Sequence, residues 1–128
     1  CWLIVQHAIS APAFMRRALE LLTDAVEEGR APAWQIAYLA DRIAVFEGKP
    51  QLFGTQFDWD DKGELSPAPL MHPERVDELR DLLALPPIAV EIMRQRADAE
   101  RDGEKPPADL ALHRARQDAF ARSAGWRS

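Results

Sequence analysis

Three groups of polar residues have the types and spacing to do chemistry. The first is His7 beside Gln6, in an otherwise apolar opening segment from Trp2 to Ile9. An unperturbed imidazole titrates near pH ~6.5, so His7 can take or give a proton. The second is Asp41 and Arg42. Neighbours on a helix point about 100° apart, so these two do not pair with each other and each needs another partner. Asp41 can orient His7 by accepting a ring N–H. Arg42 can hold a carboxylate or phosphate through two N–H groups, and Tyr38 lies one turn before it, close enough to touch. The third group is Gln51, Thr55 and Gln56 around Gly54. Amides and hydroxyls recognise polar partners well but transfer protons poorly, which favours binding or substrate orientation. On a regular strand Thr55 and Gln56 would point to opposite faces and would not share a ligand. Gly54 permits a backbone conformation or a close approach that a side chain would block.

Each group has a structural alternative. His7 can be a core histidine with both nitrogens satisfied. Asp41 and Arg42 can be internal ion pairs fixing a hairpin to a helix. The glutamines can satisfy buried backbone groups. Metal binding has little support: His7, His72 and His113 lack ligand spacing, and Asp58, Asp60 and Asp61 read as a solvated acidic turn without the remainder of a calcium loop. Neither a phosphate-cradling glycine loop nor a serine-nucleophile motif is present. No metal or cofactor is therefore expected.

The chain has 128 residues, the size of one domain, and a net charge of -5. It lacks the basic field that draws nucleic acid or an anionic membrane, and neither is an expected partner. Only the segment holding Arg114, Arg116, Arg122 and Arg127 is locally basic. The single cysteine, Cys1, excludes an intrachain disulfide and fits a cytoplasmic location. No apolar run approaches the ~18 residues of a membrane span. The apolar start at Cys1, without a Met, reads as the continuation of a longer chain. The alternative is a cysteine nucleophile activated by its own α-amine, which no motif supports.

The elements that must position these residues are mostly helices. Ser10 and Pro12 open a helix to about Glu28, with Phe14, Ala18, Leu21, Leu22, Ala25 and Val26 as its apolar stripe. A second, from Pro32 to Gly48, turns Ile36, Leu39, Ala40, Ile43 and Phe46 to the core. The period then changes. Leu52 to Trp59, a turn at Asp60 to Gly63, and Glu64 to Leu70 predict a hairpin whose second arm is restricted by Pro67 and Pro69. Helices follow from Pro73, with Val76, Leu79, Leu82 and Leu83, and from Pro87, with Ile88, Val90, Ile92 and Met93. A polar linker, Gly103 to Pro107, precedes a last helix, Asp109 to Ser123, whose thin stripe predicts weak docking. The fold class is mainly α, a helical bundle of about five to six helices with one short β-hairpin. Residues 1–97 form the helical core with the hairpin inserted, and 98–128 a charged linker and C-terminal helix.

The order of motifs resembles DUF6624, a family of bacterial domains of unknown function. The resemblance is carried by Trp2-Leu3-Ile4-Val5-Gln6-His7-Ala8, by Ala37-Tyr38-Leu39-Ala40-Asp41-Arg42-Ile43, and above all by Glu47-Gly48-Lys49-Pro50-Gln51-Leu52-Phe53-Gly54-Thr55-Gln56-Phe57. A weaker segment, Val76 to Pro87, adds Arg80 and a Leu-Pro-Pro. The match covers about residues 2 to 95. Phe53 stands where a tyrosine is expected, which removes a phenolic hydroxyl from that position. Helices expected before Trp2 are missing, and the tail from about Asp98 is peculiar to this chain. The resemblance implies that Gln6, His7, Tyr38, Asp41, Arg42, Gln51, Thr55 and Gln56 belong to a recurrent pattern, without bringing an activity. Two functions follow from the residues. One is a binding module for a polar small molecule or protein, with Arg42 supplying charge. The other is a small hydrolase or lyase with His7 as general base, Asp41 orienting it, and Gln6, Tyr38, Arg42, Gln51, Thr55 and Gln56 around the substrate.

Overall fold

The structure, a computed structural model, describes residues 8–127. Among them, five α-helices and one two-stranded antiparallel hairpin make a mainly α fold. Helix α1, Pro12–Glu27, carries Pro12 in its first turn, where a missing N–H costs nothing. Ser10 does not cap it; Ala11 holds that position without a side-chain bond. The buried face of α1 is also rotated from the expected one. Met15, Ala18, Leu19 and Leu22 pack inward, whereas Phe14 and Leu21 are exposed. Both stripes have helical period, and only the neighbours decide between them.

Helix α2, Trp34–Phe46, is the centre of the molecule. Leu39 and Ile43 join Met15 of α1 in the main core, with Phe46 at its edge. On another side of the same helix Ala37 and Asp41, one turn apart, are also buried. This second buried side is what places a carboxylate inside the fold. Gly48, at φ +77°, ends the helix in the left-handed region.

The hairpin is shorter than the sequence suggests. Strand β1, Phe57–Trp59, pairs with β2, Leu65–Pro67, in the register Phe57 to Pro67, Asp58 to Ser66 and Trp59 to Leu65. Asp60 builds the turn: its carboxylate accepts from the N–H groups of Lys62 and Glu64 and from the Ser66 hydroxyl. The acidic turn is thus consumed by its own backbone. Residues 51–56 are not a strand, apart from a bridge between Gln51 and Leu70.

A short 3-10 turn, Pro73–Arg75, leads into α3, Val76–Leu82. Val76 and Arg80 are its buried residues, while Leu82 is exposed. Helix α4, Ile88–Arg101, likewise buries Glu91 and Ala99 and exposes Val90 and Met93, which the stripe read from sequence had put inside. Arg96 ties α4 to β2 through Leu65 O at 2.8 Å and Ser66 Oγ at 3.2 Å.

Helix α5, Leu110–Ala124, is capped at both ends, by the Asp109 side chain on Leu112 N and by Gly125 in the left-handed conformation. Its anchor lies just beyond it. Trp126 is buried in the main core, stacks on Phe46 at 5.5 Å and donates its indole N–H to Ile9 O at 2.7 Å. Arg127 donates to the carbonyls of Val45 and Phe46, the last carbonyls of α2, and to Asp118. Weak docking was expected because the stripe inside the helix is thin; a residue outside the helix supplies the hold. No helix among the described residues is long and apolar enough to cross a membrane.

Candidate functional site

The segment from Gln51 to Gln56 is a loop gripped from two sides. Asp41, 1% exposed, lies against its N–H groups. One carboxylate oxygen accepts from Leu52 N at 3.0 Å and Phe53 N at 3.1 Å; the other accepts from Thr55 N at 3.1 Å and Thr55 Oγ1 at 2.9 Å. Burial pushes the Asp41 carboxyl up, and the bonds from Phe53, Thr55 and Leu52 oppose that shift without cancelling it. Arg80, also 1% exposed, holds the carbonyl side. It donates to Phe53 O at 2.8 Å, Gly54 O at 3.3 Å and Pro86 O at 2.6 Å. Burial lowers the Arg80 guanidinium, and Glu91 is the first of the nearby groups that oppose this.

Gln51 fastens the ends of the loop. Fully buried, its amide nitrogen donates to Gln56 O and Ala68 O, both at 2.9 Å, and its amide oxygen accepts from Gln56 N at 3.0 Å. The side chain occupies the place of a strand that is absent. Gly54 has φ +69°, and a Cβ there would lie 2.6 Å from Ile88 Cδ1. Both reasons for a glycine therefore apply at this position.

This curl changes where Thr55 and Gln56 point. Strand alternation would separate them, yet Gln56 Nε2 donates to Thr55 Oγ1 at 3.2 Å, and both line one cleft of about 290 Å³ with Tyr38, Arg42, Phe57 and Gln95. Four of the residues singled out from the sequence, Tyr38, Arg42, Thr55 and Gln56, thus meet in one place. Gln51 and Asp41 lie beneath them as supports. Gln6 and His7, and with them the pairing of His7 to Asp41, lie outside the described residues.

Arg42 is the charged group of the cleft. Its Nη1 makes one long contact, 3.5 Å, to Gln56 Oε1, and its Cζ lies 5.7 Å from the Phe46 ring centroid. Its Nε is buried and is the one side-chain polar atom, among the described residues, buried without a hydrogen-bond partner. No carboxylate of the described residues reaches it. Burial lowers its pKa, as expected of a cation without a counter-charge.

Two residues of α4 complete the wall. Glu91, 2% exposed, accepts from Gln95 Nε2 at 3.1 Å and from Arg94 at 2.6 Å, and so orients Gln95 at the cleft. Arg94 is held above the ordinary arginine range, first by Glu91. Sequence reasoning missed Glu91 and Gln95 and treated Arg80 as a motif residue only. The available signal was spacing: Ile88, Glu91, Gln95 and Ala99 share one helix face, as do Val76 and Arg80.

A second pocket, of about 430 Å³, adjoins the first and shares Arg42, Gln56 and Phe57 with it. At its wall His113 Nε2 lies 3.1 Å from Asp58 Oδ1, and Gln117 Nε2 donates to Asp58 Oδ2 at 3.1 Å. Gln117 Nε2 also lies 3.2 Å from His113 Nε2, so the three side chains form one cluster. No group of three or more His, Cys, Asp or Glu among the described residues is arranged to hold a metal.

The fold and site define a small mainly α domain in which one central helix presents a carboxylate to an irregular loop and a guanidinium to the cleft beside it. The chain belongs to DUF6624, a family of unknown function, whose sequence model matches residues 1–105. No curated protein and no solved structure matches it.

Proposed function

We propose that the protein is a binding module for a small molecule with an anionic group, a carboxylate or phosphate, held by Arg42 in the cleft lined by Tyr38, Thr55, Gln56 and Gln95. One observation carries this reading: the Arg42 guanidinium lines the cleft with a single long hydrogen bond, 3.5 Å to Gln56 Oε1, and no carboxylate of the described residues in reach. A guanidinium at a cleft without a counter-charge is complementary to a carboxylate or phosphate, which it can meet with two parallel N–H groups. Gln56 and Thr55, already bonded to each other, fix the orientation of the polar wall, and the Asp41–Arg80 grip keeps that wall rigid before ligand arrives. The volume suits a small polar ligand better than a protein segment.

The test is a thermal-shift titration with inorganic phosphate and with acetate, on the wild-type protein and on Arg42→Gln. A concentration-dependent rise in Tm with at least one anion, absent in the variant, supports the reading. Equal shifts in both proteins would remove Arg42 from it.

A second reading, hydrolase or lyase chemistry, is favoured by the imidazole–carboxylate pair of His113 and Asp58 on the adjoining pocket. It is an acid–histidine pair of the same chemical type as the one read from the sequence in His7 and Asp41. Turnover of 4-nitrophenyl esters or phosphates by the wild type, lost in His113→Gln, would support it.

A further inference from the structure

The two pockets that share Arg42 differ in lining. The smaller is walled by hydroxyl and amide groups of Tyr38, Thr55, Gln56 and Gln95. The larger is walled by Val45, Phe46, Phe57 and Phe120, with guanidinium and imidazole groups at its margin. Arg116, one of those margin residues, is exposed and, like Arg42, has no carboxylate within ion-pair distance among the described residues, whereas its neighbours Arg114, Arg122 and Arg127 are paired with Asp61 and Asp118. A pocket lined by aromatic rings and by two arginines without a carboxylate partner is complementary to an anion carrying a flat apolar body.

We propose that the ligand is an aryl-bearing anion, an aromatic carboxylate or aryl phosphate, whose head binds Arg42 in the polar cleft while its ring lies in the adjoining pocket against Phe46, Phe57 and Phe120. This deepens the anion-binding reading and rests on it. The ring pocket depends on α5, which supplies His113, Arg116 and Phe120 and lies wholly beyond the family-matching residues 1–105. Head recognition is therefore carried by the family-matching segment, and selection for the ring by a helix outside it. The helix is suited to the task because it is fixed at both ends, by Trp126 in the core and by His113 and Gln117 on Asp58. Phe120 is further held against Phe46, ring centroids 6.0 Å apart.

Calorimetric titration of the full chain with four probes tests it: acetate, benzoate, inorganic phosphate and phenyl phosphate. The expected result is that the aryl member of at least one pair binds about tenfold or more tightly than its small counterpart. Which pair shows the gain distinguishes a carboxylate from a phosphate head. Phe120→Ala, and independently Arg116→Ala at an exposed position that carries no fold risk, reduce that gain and leave the small anions unchanged. Arg42→Gln loses all four probes. Small anions that bind through Arg42 without any aryl gain would overturn this inference and leave the anion-binding reading standing. An aryl gain unaffected by both α5 variants would also overturn it. Failure of all four probes to bind would overturn the anion-binding reading itself.

Discussion

Asp41 and Arg80 hold opposite polarities of the same loop: the carboxylate of Asp41 takes the N–H groups of Leu52, Phe53 and Thr55, and the guanidinium of Arg80 takes the carbonyls of Phe53 and Gly54. The two charges are buried yet are not partners in an ion pair. The peptide groups between them serve as the dielectric medium, and each charge is stabilised by dipoles that the other helps to align.

Replacing Asp41 therefore unfolds more than a contact. Asp41→Asn keeps one acceptor oxygen but sets an amide NH2 against Thr55 N–H, donor against donor. Urea denaturation is expected to show a loss of about 3 kcal/mol, against about 1 kcal/mol for Thr55→Val, which removes only the hydroxyl bond.

The two grips act on one loop, so their losses are not additive. Arg80→Lys gives up the forked geometry that reaches Phe53, Gly54 and Pro86 together, and is expected to cost about 3 kcal/mol. In the double variant Asp41→Asn/Arg80→Lys the summed loss falls short of the two singles by about 1 kcal/mol or more, because the loop released by the first change has less to lose by the second. Strict additivity in a double-mutant cycle would separate the two roles.

Gly54 and Gly29 form an internal comparison. Both have positive φ, +69° and +73°, but a Cβ at Gly54 meets Ile88 at 2.6 Å, while at Gly29 nothing lies within 4 Å. Gly29→Ala is expected to cost about 1 kcal/mol, the conformational part alone. Gly54→Ala adds the cost of displacing Ile88 Cδ1, the far end of a side chain, expected at about 1 kcal/mol, the low end of overpacking. Comparable Tm losses in the two variants would exclude the steric part.

Removing the Arg42 charge should not weaken the fold. Arg42→Gln deletes the buried unpartnered Nε, so unfolding stability is expected to stay within about 0.5 kcal/mol or to rise, while anion binding is lost. A loss above about 2 kcal/mol in urea would show that Arg42 is a structural residue.

Acid should loosen the C-terminal dock. Asp118 is held below the ordinary aspartate value, first by its bonds from Arg122 and Arg127. A depressed carboxylate contributes stability that is present above the unfolded value, about 3.9, and is lost as pH falls through the lower folded value. Because Arg127 also holds the carbonyls ending α2, the loss appears at Trp126. Its fluorescence, or hydrogen exchange along α5, should change across that acid range, and in Asp118→Asn the carboxylate-dependent part of the change is absent.

The helical content and its punctuation were legible in the residues themselves. Pro12 and Pro87 act through their fixed φ and Gly48 through its freedom to adopt positive φ, properties that neighbours cannot alter, so the helix ends they set stand in the structure. Tyr38 and Arg42 were also readable as near neighbours, because i,i+4 spacing is a local property. The choice among apolar faces was not. Phe14 and Met15 differ by one position on α1, and which is buried depends on α2 and Trp126 lying where they do.

The family segment and the nearness of Tyr38 to Arg42 were thus given by local order along the chain, whereas the meeting of Thr55 and Gln56 was not. Only the tertiary structure decided the roles of the polar residues. It set Asp41 and Gln51 beneath the loop as buried acceptors and donors for backbone groups, and left Arg42 in the cleft without a counter-charge. It also brought His113 to Asp58 across 55 residues of sequence. The reason is physical: dihedral preferences and helix periods act over a few residues, whereas desolvation and charge pairing depend on which distant atoms share a space, and one helix packed on two sides determines that here.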